Sequence, residues 1–383
     1  MINLALKDIA HAKLKFIVTA MGLGMLLGIV LIMIGVYRGL IIDAQVLLDD
    51  IGADLWIVQE NSLGPFAQSS RIHEDLKNTL KVQEGIQKTA ALAFMGFQIR
   101  TPNGQMKRIY SVGYDPFGEI SPINPKRIIA GRAIQKKHYE VVVTDKLGFQ
   151  LGDKIPMGRD IYTVVGITKG TVSSGGEPLI YLSLADAQKL QFLYSNPRIR
   201  NDRARGLNVK SDSHLVNAVV ATLKPGFDPK SVAQKIERWK HVSVYTDKQQ
   251  RWILTVNVIE MARKQIGMFT VILIAVSTII IALIIYTMTL EKIKEISIMK
   301  LIGIPNSMIV KMIMQETLIL GILAFIFANI FAHTIYDKFP KRVVLQTPDA
   351  WGLFGVVLLA SFLASLFGVY KALKADERQA IGG

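Results

Sequence analysis

The sequence predicts a membrane protein with four transmembrane α-helices and a large α+β extracytoplasmic domain inserted between the first and the second. Half of the 383 residues are hydrophobic, which is too apolar for an ordinary water-soluble chain of this length. Four windows that lack Asp, Glu, Lys and Arg are long enough to cross about 30 Å of hydrocarbon at about 1.5 Å per residue. These windows are 16–37, 266–290, 317–336 and 350–370.

The first window predicts which way the chain crosses the bilayer. It follows Lys7, Lys13 and Lys15, it is too long for the apolar core of a signal peptide, and no Ala-x-Ala cleavage pattern follows it. We therefore expect a retained signal anchor with the N-terminus in the cytoplasm, and four spans return the C-terminus to the same side. The lysines and arginines of the short loops support this orientation only in part, because the short outer loop is also basic. The predicted organisation is a cytoplasmic N-terminal helix at 1–15, spans at 16–37, 266–290, 312–336 and 350–370, an extracytoplasmic domain with helical stalks at 38–265, a cytoplasmic coupling helix at 291–311, an outer loop at 337–349 and a cytoplasmic tail at 371–383.

The charge of the chain is concentrated in the inserted domain. Residues 38–265 hold 32 basic and 22 acidic residues, and therefore +10 of the net +15. Basicity on the outer side argues against a nucleic-acid partner. It fits anionic lipid head groups, an acidic partner surface, or the ordinary surface lysines of a soluble domain.

Turn residues and apolar runs predict the secondary structure of the inserted domain. An Asn-Gly pair at 103–104 between two apolar runs predicts a β-hairpin. The pattern at 72–80 predicts a helix, 173–176 a flexible linker, and 207–245 a second α+β unit, while 198–205 is basic and lacks an apolar anchor. Further helices are expected at 40–51, 184–193, 229–238 and 247–264, and strands at 54–59, 90–100, 105–112, 140–144, around 155, at 161–167, 179–182, 207–210, 218–223 and 242–245.

Small residues recur on one face of three predicted spans, a pattern typical of helices that pack closely. The pattern predicts helix contacts but does not identify the partner helix. The predicted packing residues are Gly24, Gly28, Ala360, Ala364 and Gly368, and Ala20, Gly35, Ala324, Ala328 and Ala332 continue the same stripes. The third span also holds Glu316 and His333, which we expect to be paired, because ionisable groups at such depth are costly.

The sequence lacks several common catalytic and metal-binding motifs. The chain has no cysteine, which excludes disulfides, thiolate metal sites and cysteine nucleophiles, and its six histidines are scattered. It contains no Gly-x4-Gly-Lys-Ser/Thr phosphate loop, so we do not expect ATP hydrolysis by that route. The prediction is a non-catalytic chain without a metal or a cofactor of its own.

The segment between the second and third spans is the most informative one. Ile293, Ile296, Met299 and Ile302 recur at helical spacing among charged residues, which predicts a short amphipathic helix. Gly303 suits the position just after a helix, and Pro305 prevents its continuation. Asn306 or Ser307 could cap the next helix. Such a helix could enter a groove on a partner or lie on the lipid surface, and its periodicity fits both.

The residues of this segment resemble those of a known protein family. Residues 294–303, which read Lys-Glu-Ile-Ser-Ile-Met-Lys-Leu-Ile-Gly, resemble the signature Arg/Lys-Glu-Ile-Gly-Ile-Leu-Arg/Lys-Ala-Ile/Leu-Gly before the third span of FtsX-like and MacB-like ABC transporter permeases. The segments at 52–58, 131–132, 140–144, 147–148, 151–155 and 162–167 resemble the periplasmic core domain of that family. The chain has one span, a large domain and then three spans, and it lacks an ATPase motif. In both respects it resembles the stand-alone, four-span DevC type of permease. Ser297 and Ile304-Pro305 depart from the family pattern.

The resemblance implies an energy-coupling permease of the bacterial cytoplasmic (inner) membrane that works as a homodimer with two separate ATPase subunits, which bind the ATP. In diderms it also implies a membrane-fusion (adaptor) protein and an outer-membrane channel. Carried over, the ATPase-coupling residues are Lys294, Glu295, Ile296, Met299, Lys300 and Gly303. The implied activity is export of a lipid, peptide or small hydrophobic substrate by mechanotransmission to the outer domain. Two alternatives remain: a mechanotransmitter that regulates an extracytoplasmic cell-wall hydrolase, and a membrane-tethered enzyme or receptor whose outer domain acts alone.

Overall fold

The computed structural model describes residues 9, 11, 13–193, 214–339 and 341–373. The chain divides into two compact units. One is formed by Leu40–Met261, and the other by the residues up to Gly39 and from Ala262 onwards. The basic segment at 198–205, the predicted strand at 207–210 and most of the predicted N-terminal helix and C-terminal tail lie outside the described residues.

In the described part of the chain, four helices are long and apolar enough to cross a membrane, and they include all four predicted spans. The first is longer than its predicted span because the helical pattern continues into residues 40–51, as the sequence predicts. The helices are α1 Lys13–Ile51, α2 Gly64–Ala67, α3 Leu76–Lys81, α4 Leu184–Leu193, α5 Pro229–Lys240, α6 Asp247–Leu254, α7 Glu260–Glu291, α8 Ile293–Leu301, α9 Asn306–Ile335 and α10 Thr347–Leu373. The candidate spans lie in α1, α7, α9 and α10.

The inserted unit is built on one mixed ten-stranded sheet, in which the order is β12-β1-β11-β3-β4-β9-β6-β8-β5 and β7 pairs with β8. A separate two-stranded sheet pairs β10 with β2. The strands are β1 Leu55–Gln59, β2 Ile72–His73, β3 Ile86–Arg100, β4 Met106–Tyr114, β5 Ile128–Gly131, β6 Glu140–Thr144, β7 Lys154–Met157, β8 Asp160–Thr168, β9 Leu179–Ser183, β10 Leu215–Val216, β11 Ala218–Leu223 and β12 Val242–Thr246.

Both faces of this sheet are covered, because alternate residues of each central strand enter different cores. In β1, Leu55 and Ile57 lie in one hydrophobic core together with residues of α3, α4 and α5. Trp56 and Val58 lie in the other core, with residues of α2, α6 and the last turns of α1. A strand buried on both sides reads as a continuous apolar run, which is why the sequence Leu-Trp-Ile-Val predicts a strand without alternation.

Three expectations for this unit are wrong in instructive ways. The expected second α+β unit is part of the same sheet, because Leu55 of β1 pairs with both Ala221 and Thr246. The expected helix at 72–80 begins only at Leu76, since residues 72–73 pair with a distant strand. The expected flexible linker at 173–176 is a hydrogen-bonded turn, in which the hydroxyl of the buried Ser173 accepts hydrogen bonds from two backbone N–H groups at 3.1 and 3.2 Å.

Candidate functional site

The segment between the second and third spans forms the short helix α8, which a single residue separates from α7. Lys292 occupies that position with φ −92° and ψ 3°, and its N–H donates to the Thr289 carbonyl at 3.2 Å. The Lys292 carbonyl accepts from the N–H of Ile296 at 2.9 Å, so helical hydrogen bonding restarts there. The chain therefore has a defined break at the point where the long apolar helix ends.

The far end of α8 is closed by the glycine that the sequence predicts. Gly303 has φ 91°, and its N–H donates to the Lys300 carbonyl at 3.0 Å. The Ile304 N–H donates to the Met299 carbonyl at 3.0 Å, and the two side chains join the same apolar cluster. This is the Schellman arrangement, in which a left-handed residue lets the last carbonyls of a helix find donors. The prediction of Gly303 as the helix-terminating residue is confirmed.

The start of α9 differs from the expectation. Pro305, with φ −67° and ψ 142°, occupies the cap position of α9, and no described side chain caps the helix. Its carbonyl accepts from the N–H of Met308 at 2.9 Å. Because proline already holds the dihedral angle φ that a helix entrance requires, Asn306 and Ser307 fall inside the first turn.

One face of α8 is anchored on α9. Ile296 is only 1% exposed and packs with Ile309 and Ile313 of α9, while Met299 lies at the edge of the same cluster. Full burial of such an aliphatic side chain stabilises a fold by about 2 kcal/mol. The burial of Ile296 does not fit the predicted role of an ATPase contact. It gives this side chain a structural task instead.

The opposite face of α8 is exposed and carries a mixture of apolar and charged side chains. Ile298, Leu301 and Ile302 are 47%, 50% and 75% exposed, which is unusual for three isoleucine and leucine side chains so close together. Lys294 and Glu295 are exposed beside them. We call these five residues the α8 surface. Of the other predicted coupling residues, Gly303 is exposed, whereas Met299 and Lys300 are half-buried.

The predicted small residues lie where helices approach within this unit. A side chain at Gly24 would meet the Ala324 carbonyl oxygen at 2.8 Å, and one at Gly28 would meet that of Ala328 at 3.1 Å, so α1 packs against α9. Gly368 of α10 lies 3.0 Å from Ile285 and Thr289 of α7 by the same measure. Ala360 and Ala364 are buried. Gly24, Gly28 and Gly368 therefore lie at close approaches between helices of this chain.

His333 and Asn329 lie one turn apart on α9 and border a cavity of about 190 Å³ that also touches Gln346 and Asp349. The Nδ1 atom of His333 lies 2.9 Å from the Asn329 carbonyl oxygen, and the Asn329 amide donates to the Phe325 carbonyl at 3.0 Å. These two polar side chains thus bond to the helix backbone. Asp349 forms two hydrogen bonds with the Arg38 guanidinium, one of them at 2.6 Å.

Sequence reasoning missed a buried carboxylate in the inserted unit. Glu140 accepts from the Arg132 guanidinium at 2.7 and 3.1 Å and from the N–H groups of Gln135 and Lys136 at 2.9 and 3.1 Å. The hydrogen bond with Arg132, supported by the two amides, lowers the pKa of Glu140 to about 2. The sequence signal was a charged residue at the start of an otherwise apolar strand. Among the described residues, no three His, Asp or Glu side chains are grouped so that they could hold a metal ion.

Within the described residues, four apolar helices, an α/β domain between the first and second along the chain, and an exposed short helix between the second and third give the architecture of a multi-pass membrane protein. Two family models match the chain. The model of the MacB-like periplasmic core domain matches residues 16–239, and the model of the FtsX-like permease C-terminal region matches residues 267–376. Because the first match covers more than half of the chain, the protein belongs to the MacB/FtsX family of ABC transporter permeases.

Similar proteins extend over the full length of the chain. An uncharacterised ABC transporter permease of Mycobacterium tuberculosis is 23% identical and covers 100% of both chains. The putative hemin transport system permease protein HrtB of Staphylococcus haemolyticus is also 23% identical, over 100% of this chain and 99% of its own. Among solved structures, the periplasmic region of MacB from Actinobacillus actinomycetemcomitans is 12% identical with a TM-score of 0.35, and the match covers 52% of this chain and 92% of that one.

Proposed function

We propose that this chain is the permease subunit of an ABC exporter, in which a separate ATPase subunit binds the α8 surface. ATP hydrolysis by that subunit moves α8 and the spans, and the movement reaches the inserted α/β domain on the extracytoplasmic side. The chain acts as a homodimer and supplies no catalytic residue. Membership of the ABC permease family supports the assignment of an ATPase partner.

The observation that carries the proposal is the arrangement of side chains on the α8 surface. At about 3.6 residues per turn, its charged and aliphatic residues all fall within roughly one third of the helix circumference. Lys294 and Glu295 therefore lie on the same side as Ile298. A helix that rests on lipid separates its charges from its apolar face. Interleaved charges and aliphatic groups instead fit a protein groove, which pairs the charges and covers the aliphatic groups.

The relatives support a class of substrate. Relatives that match this chain over their full length include permeases named for putative hemin transport. We infer an amphiphilic small molecule as the cargo, with hemin as the first compound to try. In a diderm host, the same scheme adds an adaptor protein on the extracytoplasmic domain.

Replacing Ile302 by arginine tests the docking proposal. Ile302 is exposed, so Ile302→Arg should leave the membrane-inserted fold intact while placing a charge in the apolar part of the contact. We expect the affinity of a co-expressed ABC ATPase subunit, measured by co-purification over a range of its concentrations, to fall at least about tenfold, which corresponds to roughly 1.4 kcal/mol. Val82→Arg is the matched control, since Val82 is an 84% exposed aliphatic residue of the inserted unit. Undiminished co-purification with Ile302→Arg contradicts the proposal.

A further inference from the structure

Two ion pairs lie at the break between α7 and α8, and each involves one of two adjacent residues of the chain. Glu291, the last residue of α7, pairs with Lys15 of α1. Lys292, at the break itself, lies with its Nζ atom 3.0 Å from Oε2 of Glu316 on α9. The first pair is open to solvent, because its side chains are 54% and 59% exposed. The second is largely buried, at 17% and 9%.

The two ion pairs contribute differently to stability because they differ in burial. Exposed ion pairs contribute little, since water and salt screen them. A buried pair is costly to break because removal of one partner leaves an uncompensated charge. Glu316 depends on its partner in particular, because its Oε1 atom has no hydrogen-bond partner among the described residues.

A small void beside Glu316 does not replace that partner. It measures about 10 Å³ and is lined in part by Thr289 and Thr317, so at most one water molecule fits. The hydroxyls of Thr289 and Thr317 donate to carbonyls of their own helices, each at 2.8 Å. Lys292 is therefore the described side chain that compensates the Glu316 carboxylate.

The buried pair completes a two-point attachment of α8 to α9. Ile309, Ile313 and Glu316 follow one another at spacings of four and three, and thus share one face of α9. On the other side, Lys292 and Ile296 are four positions apart, which is about one helical turn. The apolar contact of Ile296 and the ionic contact of Lys292 fix both the position and the direction of α8 on α9.

We propose that Lys292 and Glu316 are positioning residues that make α8 move as one body with α9, so that bending takes place at the break after Glu291. A force on the α8 surface then enters the third span directly. The inference rests on the proposed function for the source of that force. The attachment itself is a property of this chain alone.

The first experiment uses the permease without its ATPase. The natural chain has no cysteine, so spin labels can be attached at Lys294→Cys on α8 and Ile322→Cys on α9, both exposed sites. With the labelled chain diluted by unlabelled chain, so that distances within one chain are measured, we expect one narrow distance in the parent. We expect a broad distribution with Glu316→Gln or Lys292→Met, and a narrow one again in the exchanged pair Lys292→Glu/Glu316→Lys. Glu291→Gln is the matched control and should remain narrow. A narrow distribution with Glu316→Gln, or equal broadening with Glu291→Gln, overturns the proposal.

The second experiment adds the ATPase and places the labels away from the α8 surface, at Leu283→Cys on α7 and Ile322→Cys on α9. When the ATPase is trapped in its ATP-bound state, the distance between the two labels should shift in the parent and in Glu291→Gln. With Glu316→Gln the ATPase should still co-purify while the shift is lost, a result that simple unfolding would not produce. A full shift with Glu316→Gln overturns the inference. Failure of the ATPase to bind the parent contradicts only the proposed function, since the first experiment judges the attachment without it.

Discussion

Ile296 and Ile302 are six positions apart on the same short segment, yet their environments are opposite. Ile296 is 1% exposed and Ile302 is 75% exposed. Truncation of the buried residue leaves a cavity between α8 and α9, so we expect Ile296→Ala to lower the free energy of unfolding by about 3 kcal/mol. Ile302→Ala, the matched control, should leave it within about 0.5 kcal/mol. Thermal unfolding of the purified chain in detergent measures both. Equal stability of the two variants would show that α8 is not anchored through Ile296.

Glu140 predicts how the stability of the inserted unit depends on pH. Its pKa is lowered to about 2, whereas an unfolded chain has a glutamate pKa of about 4.3. The stability from this carboxylate is therefore fully present above about pH 4.3 and is lost as the pH falls towards about 2. We expect Glu140→Gln to destabilise the chain at pH 7 and to reduce the loss of stability between pH 5 and pH 2.

The control for this prediction is Glu84→Gln, because Glu84 has a side chain that is 74% exposed. Thermal unfolding temperatures of the three proteins, measured across pH 2 to 7, provide the comparison. A Glu140→Gln profile parallel to that of the wild type would contradict the assigned role. The same change in the pH dependence of stability with Glu84→Gln would show that the effect comes from the overall charge of the chain.

At the scale of elements, α1 offers two glycines in one helix with different surroundings. A Cβ atom at Gly24 would lie 2.8 Å from the Ala324 carbonyl oxygen, and one at Gly22 meets nothing within 4 Å. Gly24→Ala must push α1 away from α9, so we expect destabilisation of about 1–3 kcal/mol. Gly22→Ala should be neutral or stabilising by up to about 1 kcal/mol, because alanine favours the helix. Thermal unfolding in detergent distinguishes them, and indistinguishable variants would argue against the α1–α9 contact.

The elements that the sequence predicted well are those set by local chemistry. The strand at 140–144 and the helix at 184–193 have the expected ends, and Gly303 terminates α8 where its φ of 91° allows the chain to turn. The pairing of strands that lie far apart in the sequence could not be predicted. Nothing near Leu55 in the sequence indicates that it pairs with Ala221 and Thr246.

The candidate site was predicted as a segment, but its faces were not. The apolar spacing of 293, 296, 299 and 302 correctly predicted a helix, yet it could not show which apolar residues turn towards α9. Which residues of α8 face α9 depends on where Ile309 and Ile313 lie. Their position depends in turn on the conformation of the turn between the two helices. Glu316 was expected to be paired, and only the structure identifies Lys292 as its partner.

On the scale of the whole molecule, α1 contacts each of the other three long helices of its unit. Lys15 pairs with Glu291 of α7, Gly24 approaches α9, and Arg38 pairs with Asp349 of α10. The same helix continues without interruption to Ile51, and the chain returns through α6, a π-helical turn at Thr255–Ile259, and α7. α1 is therefore joined to the other long helices of its unit by two ion pairs and one close approach.

The proposed orientation makes a prediction that the absence of natural cysteines allows to be tested directly. A single cysteine is introduced either at Val82, in the inserted unit, or at Ser307, in the first turn of α9; both positions are exposed. If the inserted unit is extracytoplasmic, a membrane-impermeant maleimide should label Val82→Cys in intact cells stripped of any outer barrier. It should label Ser307→Cys only after the membrane is permeabilised. The reverse pattern would place the α8 surface outside the cell, away from ATP, and would contradict the orientation and with it the proposed docking of an ATPase.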